Sequence, residues 1–253
     1  MAREMAGGSA GGMSGGTSGG PAGGALILRQ RLVTRITHWL WAICLFFLLF
    51  SGLQIFNAHP ALYLGQESGF EYDNAVLVTD GVPSALTMPS GASLATGRVI
   101  HFFFAWGLVG TLIVWAVASV LNGHVKALVP SLHDIRGLPR DVANHFRLRF
   151  HHARDYNVLQ KLAYAGVLFV ALPLMIATGL TMSPGFNAAA PWLLDLFGGR
   201  QTARTIHFAV MLALVGFFAI HMLMILAAGP LNEIRSIVTG WYRTDGDDDD
   251  HAA

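Results

Sequence analysis

The stretch RTIHFAVMLALVGFFAIHMLM, residues 204–224, decides the fold. At about 1.5 Å of rise per residue it is long enough to cross a hydrocarbon core about 30 Å thick. Yet it carries two histidines, His207 and His221, fourteen positions apart. Fourteen steps at about 3.6 residues per turn nearly close four turns, so the second imidazole lies about 21 Å deeper and only about 40° round the helix. One face of an apolar helix thus presents an imidazole at each of two levels.

The rest of the chain has the same character. Of its 253 residues 53% are hydrophobic and only 12% charged, where soluble domains carry about a quarter charged residues, and the mean hydropathy is +0.51. This is the composition of a membrane protein. A net charge of +1 carries no sign of nucleic-acid binding, since the basic residues cluster by membrane side rather than along one binding face; no nucleic-acid partner is expected. The single cysteine, Cys44, sits in an apolar run, which excludes a disulfide framework, a CxxC metal site and the CxxCH signature of covalently attached haem.

Apolar stretches near 36–56, 97–120 and 158–182 join the one near 204–227. The expected fold is an all-α membrane protein, a four-transmembrane-helix bundle over residues 29–243, with a kink at Pro173 in the third helix. Residues 1–28 are expected to form a disordered, Gly-rich cytoplasmic tail and residues 244–253 an acidic disordered tail. Thirteen of the sixteen Lys and Arg fall in the N-terminal tail, the second loop with its junction, and the C-terminal tail; only Arg98, Arg200 and Arg204 lie elsewhere. The positive-inside rule then places both termini in the cytoplasm; the expected location is a bacterial inner (plasma) membrane.

Four of the eleven histidines fall within the apolar spans: His38, His101, His207 and His221. With both termini inside, His101 and His207 share the outer level and His38 and His221 the inner one. A b-type haem takes two axial ligands from opposite sides of its ring, and its macrocycle fills an apolar bundle core. The pattern therefore points to two non-covalent bis-histidine haem b groups. A lone histidine in a membrane bundle more often serves as an interhelical hydrogen-bonding group; four of them paired by depth favour ligation. The remaining histidines, His59 among them, read as surface groups.

Three of the four follow an arginine at one spacing: R35-I-T-H38, R98-V-I-H101 and R204-T-I-H207. Residues three apart share a helix face, so Arg35, Arg98 and Arg204 sit one turn nearer the surface, where haem propionates would emerge. Arginines at helix ends also snorkel into headgroups without any such partner. Gly52, fourteen residues after His38, occupies the outer level of the same face and can make room for a ring. Gly107, Gly110 and Gly216 are further candidates, although glycine in membrane helices also serves close helix contact.

The runs HWLWAICLFFLLFSGLQIFNAHPALYLG, ATGRVIHFFFAWG, YNVLQKLAY, TGLTMSPG and PWLLDLFGGRQTARTIHF resemble the cytochrome b subunit of the thiosulfate reductase type, within the group of formate dehydrogenase gamma subunits and nickel-iron hydrogenase b-type cytochromes. The resemblance covers about residues 29–243. It implies a four-helix di-haem fold that passes electrons between the quinone pool and a separate, molybdopterin-type oxidoreductase subunit. It also implies His38, His101, His207 and His221 as ligands of the haem iron, and a quinone pocket at Tyr156, Asn157 and Gln160. Asn157 and Gln160 are amides three apart that can donate to and accept from quinone oxygens; Asn157 is equally placed to cap the third helix.

Two other readings remain. The run HFRLRFHH (145–152) superficially suits a membrane di-iron oxygenase, but its spacing serves one site poorly and leaves four buried histidines unexplained. A haem-free anchor or transporter predicts no ligand pairs at matched depth. On the cytochrome reading the chain is not a self-sufficient enzyme, because two strong ligands on each iron leave no open position for substrate. The acidic, aromatic stretch ESGFEYDNAVLVTD (67–80), which shows no obvious secondary structure, is the expected docking site of an extracytoplasmic partner, with Phe70 and Tyr72 as interface residues.

Overall fold

The computed structural model describes residues 25–91, 93–123, 125–129 and 158–244. Four long helical segments dominate it: α1 (Leu32–Asn57), α2 (Leu94–Leu121), a segment running from α3 (Val158–Gly166) into α4 (Leu172–Met182), and α7 (Arg200–Ala228). All four are long and apolar enough to cross a membrane. In hydrocarbon each backbone N–H and C=O must find its partner inside the chain, and a helix satisfies that requirement within one segment. The helices begin up to four residues before the positions expected from hydropathy, because Arg35, Arg98 and Arg204 each lie inside the first turns of a helix rather than ahead of it.

The expected irregularity at Pro173 takes a defined form. Between α3 and α4 the chain makes a π-helical turn over Val167–Ala171, and Pro173 sits at the start of α4. Proline has no N–H to give to the carbonyl four residues back and its ring crowds that carbonyl, and the widened turn accommodates both.

Helix α1 packs chiefly on α2 and α4 on α7. The buried centre comprises Cys44, Leu108 and Leu172, with Trp41, Phe104, Val167 and Leu214 packed around it, so all four segments contribute. Phe47 and Phe104 stack with ring centres 4.1 Å apart, and a Cβ at Gly107 would stand 3.3 Å from the Cys44 sulfur. Gly107 therefore serves the close approach of α1 and α2. The outward faces carry exposed large apolar side chains such as Phe103, Trp106, Phe218 and Leu223, as a lipid-facing surface requires.

At one end of the bundle the first connector, which shows no obvious secondary structure in the sequence, forms a hairpin. Strand β2 (Ala61–Tyr63), wholly buried, pairs antiparallel with β3 (Ala75–Val78). The hairpin is pinned to the helices around it. The Gly65 N–H donates to Thr202 Oγ1 at 2.7 Å, and Gln201 N–H donates to the Gly65 carbonyl at 2.9 Å. Asn57 brackets Val82 with two 2.7 Å bonds. The short helices α5 (Pro184–Ala189) and α6 (Trp192–Leu196) complete this end.

At the opposite end, strand β1 (Leu26–Leu28) pairs antiparallel with β4 (Trp241–Arg243), which follows the amphipathic helix α8 (Pro230–Thr239). Residues 26–28, assigned from sequence to the tail, are therefore part of the folded domain, because a strand donates and accepts through its backbone whatever its composition. Arg29 forms an ion pair with Glu233 at 3.4 Å and lies 4.6 Å from the Tyr242 ring centre. Both described chain ends thus leave from one end of the bundle. The remainder of the two expected tails, residues 1–24 and 245–253, lies outside the described residues.

The turn from α8 into β4 passes through Gly240 at φ +92°, where an added Cβ would stand 3.0 Å from the Gln30 carbonyl oxygen. Gly240→Ala should cost about 1–3 kcal/mol through the left-handed backbone alone. The expected reading is a lower melting temperature in detergent, with faster amide exchange confined to residues 26–30 and 240–243.

Candidate functional site

Helix α1 carries His38 near its first turn, α2 carries His101, and α7 carries both His207 and His221. Antiparallel packing brings them together two by two. At the end bearing the β2–β3 hairpin, the rings of His101 and His207 stand with centres 6.3 Å apart. At the end bearing the β1–β4 ribbon, His38 and His221 stand 6.4 Å apart. These are the pairs expected from depth.

The spacing can be compared with what a shared metal needs. Metal–imidazole bonds of about 2.0–2.1 Å put two nitrogens across one metal about 4 Å apart and two ring centres roughly 6–6.5 Å apart. Both observed separations fall in that range. The donor set suits haem iron: two neutral aromatic nitrogens from facing helices at each level, and, among the described residues, no group of three or more His, Cys, Asp or Glu side chains. The residues present fit a bis-histidine haem at each pair.

Backbone clearance supports the hairpin-end pair. A Cβ at Gly52 would lie 3.3 Å from His101 Cε1, and one at Gly179 would lie 3.4 Å from His207 Cε1. Each glycine thus admits a histidine ring against its helix. Gly110 and Gly216 meet no heavy atom within 4 Å. Beside each glycine stands a fully buried hydroxyl: Ser51 Oγ is 3.1 Å from His101 Nδ1, and Thr178 Oγ1 is 3.0 Å from His207 Nδ1. Sequence reading missed Thr178 and Gly179, since the third helix has no histidine to draw attention to it, and it passed over Ser51 beside Gly52. The available signal was the repeated hydroxyl–glycine pair, S51-G52 and T178-G179.

The ribbon-end pair is built differently. His221 stacks on Phe217 with ring centres 5.8 Å apart, and His38 meets Trp39 edge-on. His38 Nδ1 is buried with no hydrogen-bond partner among the described residues.

The three arginines occupy distinct settings. Arg35 donates from Nη2 to the Val238 carbonyl, while its Nε is buried with no partner among the described residues. Arg98 is exposed and lies over the Phe102 ring at 5.8 Å. Arg204 donates to the His59 carbonyl at 2.5 Å. Among the described residues none of the three has a carboxylate partner. His59, read from sequence as a surface group, is exposed but stacks between Tyr63 and Tyr72, and its Nε2 is 2.9 Å from the buried Tyr63 hydroxyl. Tyr156 and Asn157 lie outside the described residues, as does the run 145–152, and Gln160 is placed by its backbone alone, within α3.

Comparison with known proteins places the chain in a family. The chain matches the family described as prokaryotic cytochrome b561 over residues 29–240. It is 26% identical over 193 residues to the putative protein-methionine-sulfoxide reductase subunit YedZ1 of Azospira oryzae, a match that covers 76% of this chain and 86% of that protein. Four apolar helices, histidines paired across them and a family match along nearly the whole bundle lead to one conclusion: this is a multi-pass membrane protein of the prokaryotic cytochrome b561 family, a b-type cytochrome.

Proposed function

We propose that this chain is the di-haem electron-transfer subunit of a respiratory oxidoreductase, linking the membrane quinone pool to a separate extracytoplasmic enzyme subunit of the molybdopterin type. The observation that carries the reading is the pair of histidine pairs, one at each end of α7, each at the separation two axial ligands need. A haem b at each pair would supply a one-electron ferric/ferrous couple. The chain's residues hold the couple in place: His101 and His207 as ligands at the hairpin end, His38 and His221 at the ribbon end. Arg35, Arg98 and Arg204 offer cations near these levels with no carboxylate partner among the described residues, which suits propionate groups. Tyr156, Asn157 and Gln160 would bind quinone at the ribbon end, a role that rests on the resemblance and on amide chemistry.

The basic residues put the ribbon end in the cytoplasm and the hairpin end outside a bacterial inner membrane. The relative's name describes a subunit of a reductase, in keeping with a chain that carries electrons for a partner and does no substrate chemistry itself. The hairpin end is the proposed docking face. Tyr72 is 47% exposed there and rests on His59, and the hairpin bearing it is anchored to the start of α7, which holds His207 one turn below Arg204.

A reduced-minus-oxidised spectrum of the purified chain should show b-type bands. His207→Ala and His221→Ala should each halve the haem content while the bundle still inserts, and a haem-free wild type would overturn the reading.

Gly52→Ala should disturb the hairpin-end site selectively. The His101 ring has to give by a few tenths of an ångström, an overpacking cost of about 1–3 kcal/mol. Haem quantification in the His221→Ala background, where only that site remains, should show a loss.

Replacing residues 67–80 with a Gly/Ser linker of equal length should leave both haems and their reduction by quinol unchanged while slowing electron transfer to the partner. Crosslinks from the partner to the cytoplasmic loop around Arg140 would instead reverse the docking side.

A further inference from the structure

Ser51 and Thr178 stand in matched positions on α1 and α4, facing the two histidines of the hairpin-end pair. Each hydroxyl lies against two carbonyls of its own helix: Ser51 Oγ is 2.6 Å from the Phe47 carbonyl and 3.3 Å from that of Leu48, and Thr178 Oγ1 is 2.8 Å from Leu174 and 3.1 Å from Met175. A hydroxyl has one hydrogen and two acceptor lone pairs. With that hydrogen directed at its own helix, each oxygen is left to accept, and the ring nitrogen 3.1 or 3.0 Å away is the remaining donor. His101 and His207 then both carry their proton on Nδ1, which leaves both Nε2 lone pairs free for a metal. Both hydroxyls are fully buried, so water does not compete for these bonds. Gly52 and Gly179 keep the helices close enough to hold the rings at this distance.

We propose that Ser51 and Thr178 are a pair of positioning residues that fix the tautomer and ring orientation of His101 and His207 and thereby lower the reduction potential of the hairpin-end haem. The inference rests on the haem reading above. An imidazole that donates its second N–H is a more basic ligand, and a more basic ligand favours ferric over ferrous iron. His38 at the ribbon end differs: among the described residues its Nδ1 has no partner. The two sites are therefore made unequal by two hydroxyl groups, although their ligands are the same.

The test is a potentiometric titration of the purified, haem-loaded chain, with electron paramagnetic resonance of the ferric haems. Ser51→Ala and Thr178→Val remove one bond each, the latter nearly isosterically, and Ser51→Thr and Thr178→Ser retain the hydroxyl. The His207→Ala chain, which keeps the ribbon-end haem alone, identifies which component belongs to which site. Expected is an upward shift of the hairpin-end midpoint in Ser51→Ala and in Thr178→Val, larger in the double variant, with an altered ferric signal from that haem. The ribbon-end component should stay in place, and the hydroxyl-retaining variants should behave as wild type. A tenfold change in the preference for ferric over ferrous iron corresponds to about 59 mV for one electron, which sets the scale.

An unmoved hairpin-end midpoint with haem retained would overturn the proposal, as would an equal shift of both components. If Thr178→Val loses the hairpin-end haem, retention in Thr178→Ser supports the hydroxyl's role, and loss in both variants refutes it. A wild-type chain without b-type bands would refute the haem reading itself, a result distinct from any of these.

Discussion

An imidazole placed in hydrocarbon must stay neutral and must find something for each of its two nitrogens. Four such rings lie between the helices of this protein, and the arrangement of the helices follows from pairing them. Helix α7 supplies one ring to each level, so its two partners must come from helices that bring a histidine to opposite ends. His38 does so near the start of α1, and His101 near the start of the antiparallel α2. The apolar residues between the levels, centred on Cys44, Leu108 and Leu172, then form the contact on which both pairs depend.

The two levels are held to different standards. At the hairpin end every ring nitrogen that faces a helix has a partner, and small residues bring those helices in. The third helical segment contributes no histidine, but through Thr178 and Gly179 it braces one. The π turn upstream bears on this placement: with Pro173 only five residues before Thr178, the widened turn sets the rotation at which α4 presents its hydroxyl to α7. At the ribbon end His38 and His221 rest against aromatic neighbours, Trp39 and Phe217. The first level is specified by hydrogen bonds, while the second is shaped by packing.

The ends of the bundle are fastened by backbone rather than by side-chain chemistry. A buried strand at Ala61–Tyr63 and a two-stranded ribbon joining residues 26–28 to 241–243 close the two faces. Each spares the membrane interface a length of unpaired peptide groups. The hairpin also gathers Tyr63, His59 and Tyr72 above Arg204, which gives the exposed end of the molecule an aromatic, hydrogen-bonded surface next to the start of α7.

Much of this was legible in the chain itself. Helical period and hydropathy locate four spans, and fourteen residues between His207 and His221 put two rings on one face whatever surrounds them, because helix geometry is local. Pairing by depth followed from the alternation of helix direction. What local rules do not carry is which neighbour stands beside a given ring. Ser51 and Thr178 are ordinary residues of apolar helices until α1 and α4 are packed against α2 and α7. Gly52 was visible as a gap, but that the His101 ring sits against it, and that Gly179 answers it across the bundle, required the helix rotations. The strands at residues 26–28 and 61–63 escaped for a related reason. Each is only three residues long and is stabilised by a partner distant in sequence, so composition and periodicity hold no record of it; only the tertiary structure decided that those backbones would be paired.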